Sequence, residues 1–533
     1  MPSAIQPAQN GPKPAQPSKA GSAQTGSAKA RTANMSPIKP QDFGYEQARH
    51  LLWRAGFGGT PQQIQTLASW GPTKAVDYLL SPDQVEFDKI KADLFDKDIM
   101  APPSAEQRQM YREAQKAGDE DALAKVRLMR QERERLDRRQ IAEVQKWWLK
   151  RMVETPRPLE EKMTLFWHGH FATSYRTIEN SYHMFLQNEL FRKHAVGRFD
   201  ELLLGIIRDP AMLAYLDNND SRKGKPNENL AREIMELFAL GIGAYGEKDI
   251  KEGARALTGY TFQDDAFQFQ KNNHDDGAKT ILGKSGKWDG DDFVKIILAQ
   301  PACAMFIARK LYGFFAEELP PSERLSDRDL PPAAGQAVRA MAGTLSKGWD
   351  LREALRQMFL SEHFYSARLM SQQIKSPTVL VVGAIRSLNA PARDLSILND
   401  AMDLMGQNVL FPPSVKGWEG GRSWINTSTM FVRQNILTYL LTGKKPVGYD
   451  ATADIMKYDP MPLLEELRKA DAAAAQDPGR VIDYLLKLCL GHNASYARQP
   501  LVEFVNSRGG SLTPDLVTGL LLLITAMPDY QLC

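Results

Sequence analysis

Residues 104–151 read SAEQRQMYREAQKAGDEDALAKVRLMRQERERLDRRQIAEVQKWWLKR. The stretch has no proline, and opposite charges recur three or four residues apart, the spacing at which side chains meet on one helix face. Gly118 is the natural interruption, so the segment is expected to form an exposed helical hairpin or arm. Acids are interleaved with the bases along Arg130 to Arg139, which argues against a nucleic-acid stripe. Trp147, Trp148 and Met152 mark the return to a core. Convincing β alternation is nearly absent elsewhere, so the expected fold is all-α.

The flanking sequence repeats this style. Leu51, Leu52 and Ala55 recur at helical spacing from Tyr45, and Gly56, Gly58 and Gly59 supply a stop. Thr60-Pro61 pairs a capping residue with a proline at the first helical position, and Pro72 opens a further helix after Gly71. Pro158, Asn227 (after Pro226), Asp289 and Pro301 open others, the one from Asn227 running to Leu240. At most one short β-hairpin is expected, within residues 259–282, where Tyr260, Phe262, Phe267 and Phe269 surround Asp264-Asp265. Residues 1–40 bury too little apolar surface to fold and read as a disordered basic tail. Residues 41–445 read as the main helical domain. Residues 446–533 read as a C-terminal helical subdomain whose last, very apolar helix lies between Pro514 and Pro528. No repeat of fixed period is evident.

Across 533 residues, 67 Lys+Arg face 64 Asp+Glu. Residues 1–40 contribute Lys13, Lys19, Lys29, Arg31 and Lys39 and no acid; without these five, 62 bases face 64 acids. The folded part is slightly acidic, which argues against nucleic acid as a partner. Cys303, Cys489 and Cys533 are too scattered for a disulfide framework or a zinc site. No apolar stretch reaches the roughly 20 residues of a membrane span, and the first 40 residues lack a secretory signal, whether translation starts at Met1 or Met35. Taken literally, the chain is cytoplasmic. There is no GxxxxGK[ST], HExxH, GxSxG or GxGxxG motif of the usual context.

Four polar segments are candidates for chemistry. In Phe166-Trp167-His168-Gly169-His170-Phe171, a helix broken at Gly169 would let both imidazoles converge on a metal; otherwise His168 caps the helix and His170 packs in the core. On the helix from Asn227 to Phe238, Asn229, Arg232, Glu233 and Glu236 share one arc, which suits a metal or acid/base site. The alternative there is a surface helix with Glu228-Arg232-Glu236 ion pairs. The turn Asn272-Asn273-His274-Asp275-Asp276-Gly277 either coordinates a cation or makes local hydrogen bonds. In the loop from Phe411 to Thr429, Trp418, Arg422, Trp424 and Asn426 either face a sugar or planar ligand or plug the helical core.

Together with His50-Leu51-Leu52-Trp53-Arg54-Ala55-Gly56-Phe57-Gly58 and Ala254-Arg255-Ala256-Leu257-Thr258-Gly259, these segments resemble the bacterial family catalogued as domain of unknown function eighteen-hundred. The likeness runs from about residue 45 to the C-terminus, with the motifs in order. It implies a mainly helical fold, no established activity, and a sulfatase-like protein, encoded nearby, as a partner. Many relatives are exported, which leaves export open for this chain too.

The leading functional expectation is a hydrolase, metal-assisted or acid/base, acting on a polysaccharide-like or anionic substrate. His168, His170, His274 and Asp275 are the candidate ligands of a divalent metal ion, the candidate cofactor. Glu233, Glu236 and Arg232 are the candidate catalytic residues, with Arg232 on an anionic group. Trp418, Arg422, Trp424 and Asn426 are the candidate substrate contacts. The competing expectation is a non-catalytic scaffold or accessory protein that binds the sulfatase-like partner.

Overall fold

The helices begin where local chemistry can satisfy their orphan backbone groups. In a computed structural model that describes residues 33–87, 89–91, 95–320, 330–445, 454 and 456–533, Tyr45–Arg54 forms α1 and Pro61–Leu80 forms α2. Thr60 caps α2 reciprocally with Gln63. Gly71, at φ 75°, breaks α2 and Pro72 restarts it. Ser104 and Asp119 cap α3 (Ala105–Ala117) and α4 (Glu120–Glu154), and Gly118 between them takes a left-handed conformation, φ 64°. The expected hairpin is therefore present. At 35 residues α4 is about 52 Å long. Its first half is mostly exposed, whereas Ile141, Val144, Trp148 and Met152 are buried.

The chain continues through α5 (Pro158–His170), α6 (Tyr175–Ile178), α7 (Ser181–Lys193), α8 (Phe199–Ile206), α9 (Pro210–Tyr215) and α10 (Asn229–Glu233). The helix expected to reach Leu240 changes type after Glu233. Residues Ile234–Ala239 form a π-helical segment, in which the Leu240 N–H reaches back five residues to Met235 O at 3.0 Å. Hydrophobic periodicity is blind to that extra residue per turn. Next come α11 (Glu247–Ala256), β1 (Tyr260–Gln263), β2 (Ala266–Phe269), β3 (Lys279–Ile281) and β4 (Lys284–Gly286). Here the limit of one hairpin is corrected: β1–β2 turns at Asp264-Asp265 as expected, and β3–β4 forms a second antiparallel pair. Its strands are three residues long, too short to show alternation.

Helices α12 (Gly290–Leu298), α13 (Pro301–Phe315), α14 (Pro332–Leu345), α15 (Leu351–Leu360), α16 (Pro377–Ser387), α17 (Leu395–Leu404) and α18 (Thr427–Thr442) complete the main body. Then follow α19 (Glu465–Ala470), α20 (Pro478–Leu490), α21 (Ser495–Ser507) and α22 (Pro514–Thr525). The fold is mainly helical, as expected. The C-terminal helices share one continuous core with the rest: Leu485, Val517 and Leu521 join the same buried cluster as Trp53 and Leu380. Arg49 of α1 donates to Leu488 O at 2.7 Å and Cys489 O at 2.6 Å, tying the two ends of the chain together.

Residues 1–32 of the expected tail lie outside the described residues. Farther along, Ala33 and Ile38 are buried, and Ile38 N–H donates to Leu360 O at 2.7 Å. All three cysteines are buried thiols.

A buried ion cluster fixes the helix on which the site depends. Glu161 of α5 is fully buried and accepts from Arg151 of α4 at 2.9 Å, from Arg192 of α7 at 2.8 and 3.0 Å, and from Trp148 Nε1 at 3.0 Å. Burial pushes its carboxyl up, but Arg192 and Arg151 outweigh that and hold it below the ordinary range. Removing one partner of such a cluster costs about 3–5 kcal/mol.

Candidate functional site

The end of α5 corrects the expectation of a break at Gly169. The helix runs on through Gly169 to His170, so His168 and His170 point to different sides. Packing supports this glycine, which alone would disfavour a helix by about 1 kcal/mol. His168 Nε2 accepts the Leu410 N–H at 2.9 Å, and its ring stands edge-on to Trp148 and Trp418. His170 Nε2 donates to Phe238 O at 2.9 Å in the π segment, and its ring stacks on Phe166. The acceptor role places the His168 proton on Nδ1; the donor role places the His170 proton on Nε2. Burial lowers both rings to about 3, so both are neutral.

His168 therefore anchors the loop that follows α17. Leu410 sits at φ 68°, a strained position for a branched residue, with its N–H on His168 and its carbonyl on Tyr175 N–H at 3.0 Å. Gln145 adds bonds to Asn408 Oδ1 at 2.7 Å and Val409 O at 2.8 Å. Farther along, Gly417 at φ 76° lies so close to α5 that a Cβ there would stand 2.1 Å from Gly169 O. Trp418 lies over Gly169 and is half-buried. The two glycine-containing motifs thus meet backbone to backbone.

The metal set is not brought together. His274 Nδ1 donates to Thr258 O at 2.9 Å, while Asp275 receives Arg255 on both oxygens at 2.8 and 3.2 Å. Arg255 holds the Asp275 carboxyl down at about 2. Asp275 Oδ1 also accepts the Gly277 N–H at 2.9 Å, and Lys279 Nζ donates to Asp275 O and, at 3.1 Å, to Gly277 O. The turn clasps the hairpins to α11 through local hydrogen bonds. Among the described residues, no three His, Cys, Asp or Glu are placed to hold a metal ion.

Two substrate-contact expectations are likewise corrected. Trp424 is 6% exposed, with Gly406 and Gly420 close to its ring, so it has little face to offer. Asn426 caps α18, accepting Thr429 N–H at 2.9 Å while its own N–H goes to Thr429 Oγ1 at 2.9 Å. Arg422 is exposed and Trp418 keeps a partial surface. Arg232 is not available to an anion, because Glu228 at 3.2 Å and Glu247 at 2.9 and 3.0 Å already clasp it.

Glu233 and Glu236 differ from all of these. They stand where α10 becomes the π segment, three residues apart and both half-buried. Glu236 accepts the Tyr245 hydroxyl at 3.0 Å. Glu233 makes no hydrogen bond or ion pair with any described residue. Burial and the neighbouring Glu236 raise its carboxyl above the ordinary range, while Arg232 and Lys416 partly offset them. Burial and Glu233 also raise the Tyr215 phenol. Lys416 and Tyr245 were not singled out from sequence. Lys416 carried one signal, its place immediately before Gly417-Trp418.

Among the described residues no helix is long and apolar enough to cross a membrane. No curated protein and no solved structure matches the chain. One family model, described as "Protein of unknown function (DUF1800)", matches residues 50–532, and the chain belongs to that family.

Proposed function

We propose that the protein is a hydrolase working by acid/base chemistry through Glu233 and Glu236 on a polysaccharide-like or anionic substrate. The observation that supports this reading is the unpartnered, half-buried Glu233, its carboxyl raised beside a second carboxylate. A carboxyl raised above the ordinary range beside a second carboxylate can serve as acid while its neighbour serves as base. In this scheme the Glu233 carboxyl, raised by burial and by Glu236, is the acid that delivers a proton to the leaving oxygen as the bond to carbon breaks. Glu236, steadied by the Tyr245 hydroxyl, takes a proton from the attacking water. Lys416 and Arg422, both exposed, favour an acidic or sulfated chain, and the open part of Trp418 suits a sugar face. No step is routed through a metal, since the expected ligands lie apart.

The test is release of reducing ends from neutral, uronic and sulfated polysaccharides. Glu233→Gln and Glu236→Gln should each lower the rate about 100-fold or more. A wild type that cleaves none of these, or variants as fast as wild type, defeats the reading.

The second reading is a non-catalytic accessory protein for a sulfatase-like partner. It is favoured by the arm, where Met110, Leu128 and Met129 are 61%, 64% and 53% exposed. Sedimentation of the two purified proteins together, with Leu128→Glu/Met129→Glu as the control expected to abolish the complex, tests it.

A further inference from the structure

None of the residues assigned above lines a second groove of the structure. That groove, about 650 Å³, runs between residues 97–102, the junction of α6 and α7, and the β1–β2 turn. Its size falls within the range of small-molecule sites.

His183, on the first turn of α7, lines it and is 5% exposed. Its Nε2 sits 3.1 Å from Asp264 O and 3.2 Å from Asp265 Oδ1. Both neighbours only accept, so Nε2 carries a proton, and in the neutral ring, which burial favours, Nδ1 is left with a lone pair. Nδ1 has no hydrogen-bond partner among the described residues. Around it, the charged lining is four carboxylates, Asp98, Glu179, Asp264 and Asp265, against the single cation Lys97. Phe262 and Ile178 supply the apolar wall, with Phe262 edge-on to His183 at 5.2 Å. Glu179 and Asp264, both lining the groove, are held at positive φ, 47° and 54°. Such conformations persist where the surroundings enforce them.

A lining that mostly accepts hydrogen bonds, carries net negative charge and includes a buried imidazole with an unused lone pair is complementary to a ligand that only donates. We propose that this groove binds an ammonium-bearing ligand, a linear polyamine or the lysine side chains of a protein segment, with the ammonium groups between Glu179 and Asp264 and an N–H on His183 Nδ1. The apolar wall takes the methylene chain, and an aromatic face near a cation adds to the attraction.

Titration calorimetry of the full chain tests this with spermidine, a tetralysine peptide, a neutral diol of similar length and calcium chloride. One of the two amines should bind, more weakly as salt rises. Glu179→Gln/Asp264→Asn, which alters two exposed side chains, should weaken it at least about tenfold; Glu233→Gln should leave it unchanged. Tighter binding of tetralysine assigns the site to a protein segment, and tighter binding of spermidine assigns it to a free polyamine; either supports the proposal. Binding of the diol as well as the amines, binding of calcium alone, no heat with either amine up to about 10 mM, or a double variant that binds like wild type overturns it. Far-UV circular dichroism of the variants guards against unfolding.

Discussion

The HDDG turn and the α10–π junction look equally rich in catalytic groups, yet the folded protein treats them oppositely. At the turn, His274 is bound to a backbone carbonyl and Asp275 to Arg255. At the junction, Glu233 is left half-buried without a partner and its carboxyl is raised. The density of polar residues therefore says little about function; what distinguishes a site is a polar group that the fold leaves unengaged. The FWHGHF motif falls with the turn, since its two imidazoles hold a loop and a π segment in place.

Four substitutions break or sharpen this contrast, the largest effect first. Gly417→Ala places a methyl against Gly169 O in a backbone conformation that favours glycine, and should cost about 3–4 kcal/mol in denaturant unfolding. A cost under about 1 kcal/mol would mean that the two motifs are not locked backbone to backbone. His168→Ala deprives the Leu410 N–H of its acceptor and opens a void, for about 2–3 kcal/mol; His168→Gln, which can still accept, should lose less. Equal losses would show that the hydrogen bond is not what anchors the loop.

Asp275→Asn should cost about 1–2 kcal/mol and abolish a pH dependence. With the folded carboxyl lowered to about 2, its contribution is complete above the unfolded value of 3.8 and is lost as pH falls through about 2. Thermal melts of wild type and variant should converge in that acid window. Glu233→Gln has the opposite sign. A carboxyl raised in the folded state contributes stability below its unfolded value of 4.5 and loses it as pH rises through the folded value. At pH 7 the variant should therefore match or exceed wild type by a few tenths of a kcal/mol, about the smallest effect a melt resolves. Clear destabilisation would place Glu233 with the structural group.

How far the sequence could be read follows the range of the interactions. Ser104, Thr60, Asp289 and the helix-opening prolines act within one turn, so the helices they start were legible. Gly118 as the arm's corner was legible for the same reason. The helical course of Gly169 was not legible because the residues that pack on it, Gly417 and Trp418, lie far along the chain. Trp424 looked like a ligand platform because burial of a loop tryptophan is decided by tertiary packing. Glu233 and Glu236 were recognisable as an arc, but which charges face them was not: Arg232 turned away to Glu247, and Lys416 arrived from a distant loop.

The π segment also bears on how this family can change. An α-helix becomes π-helical by accommodating one extra residue, so deleting one residue between Ile234 and Ala239 would let the helix continue in ordinary register. Every side chain beyond the deletion would then turn by about 100° relative to Glu233. Phe238 O would leave His170, and the chain entering the Tyr245 turn would be redirected. Deleting Ile234 or Met235 would thus dismantle the carboxylate pair without altering either glutamate.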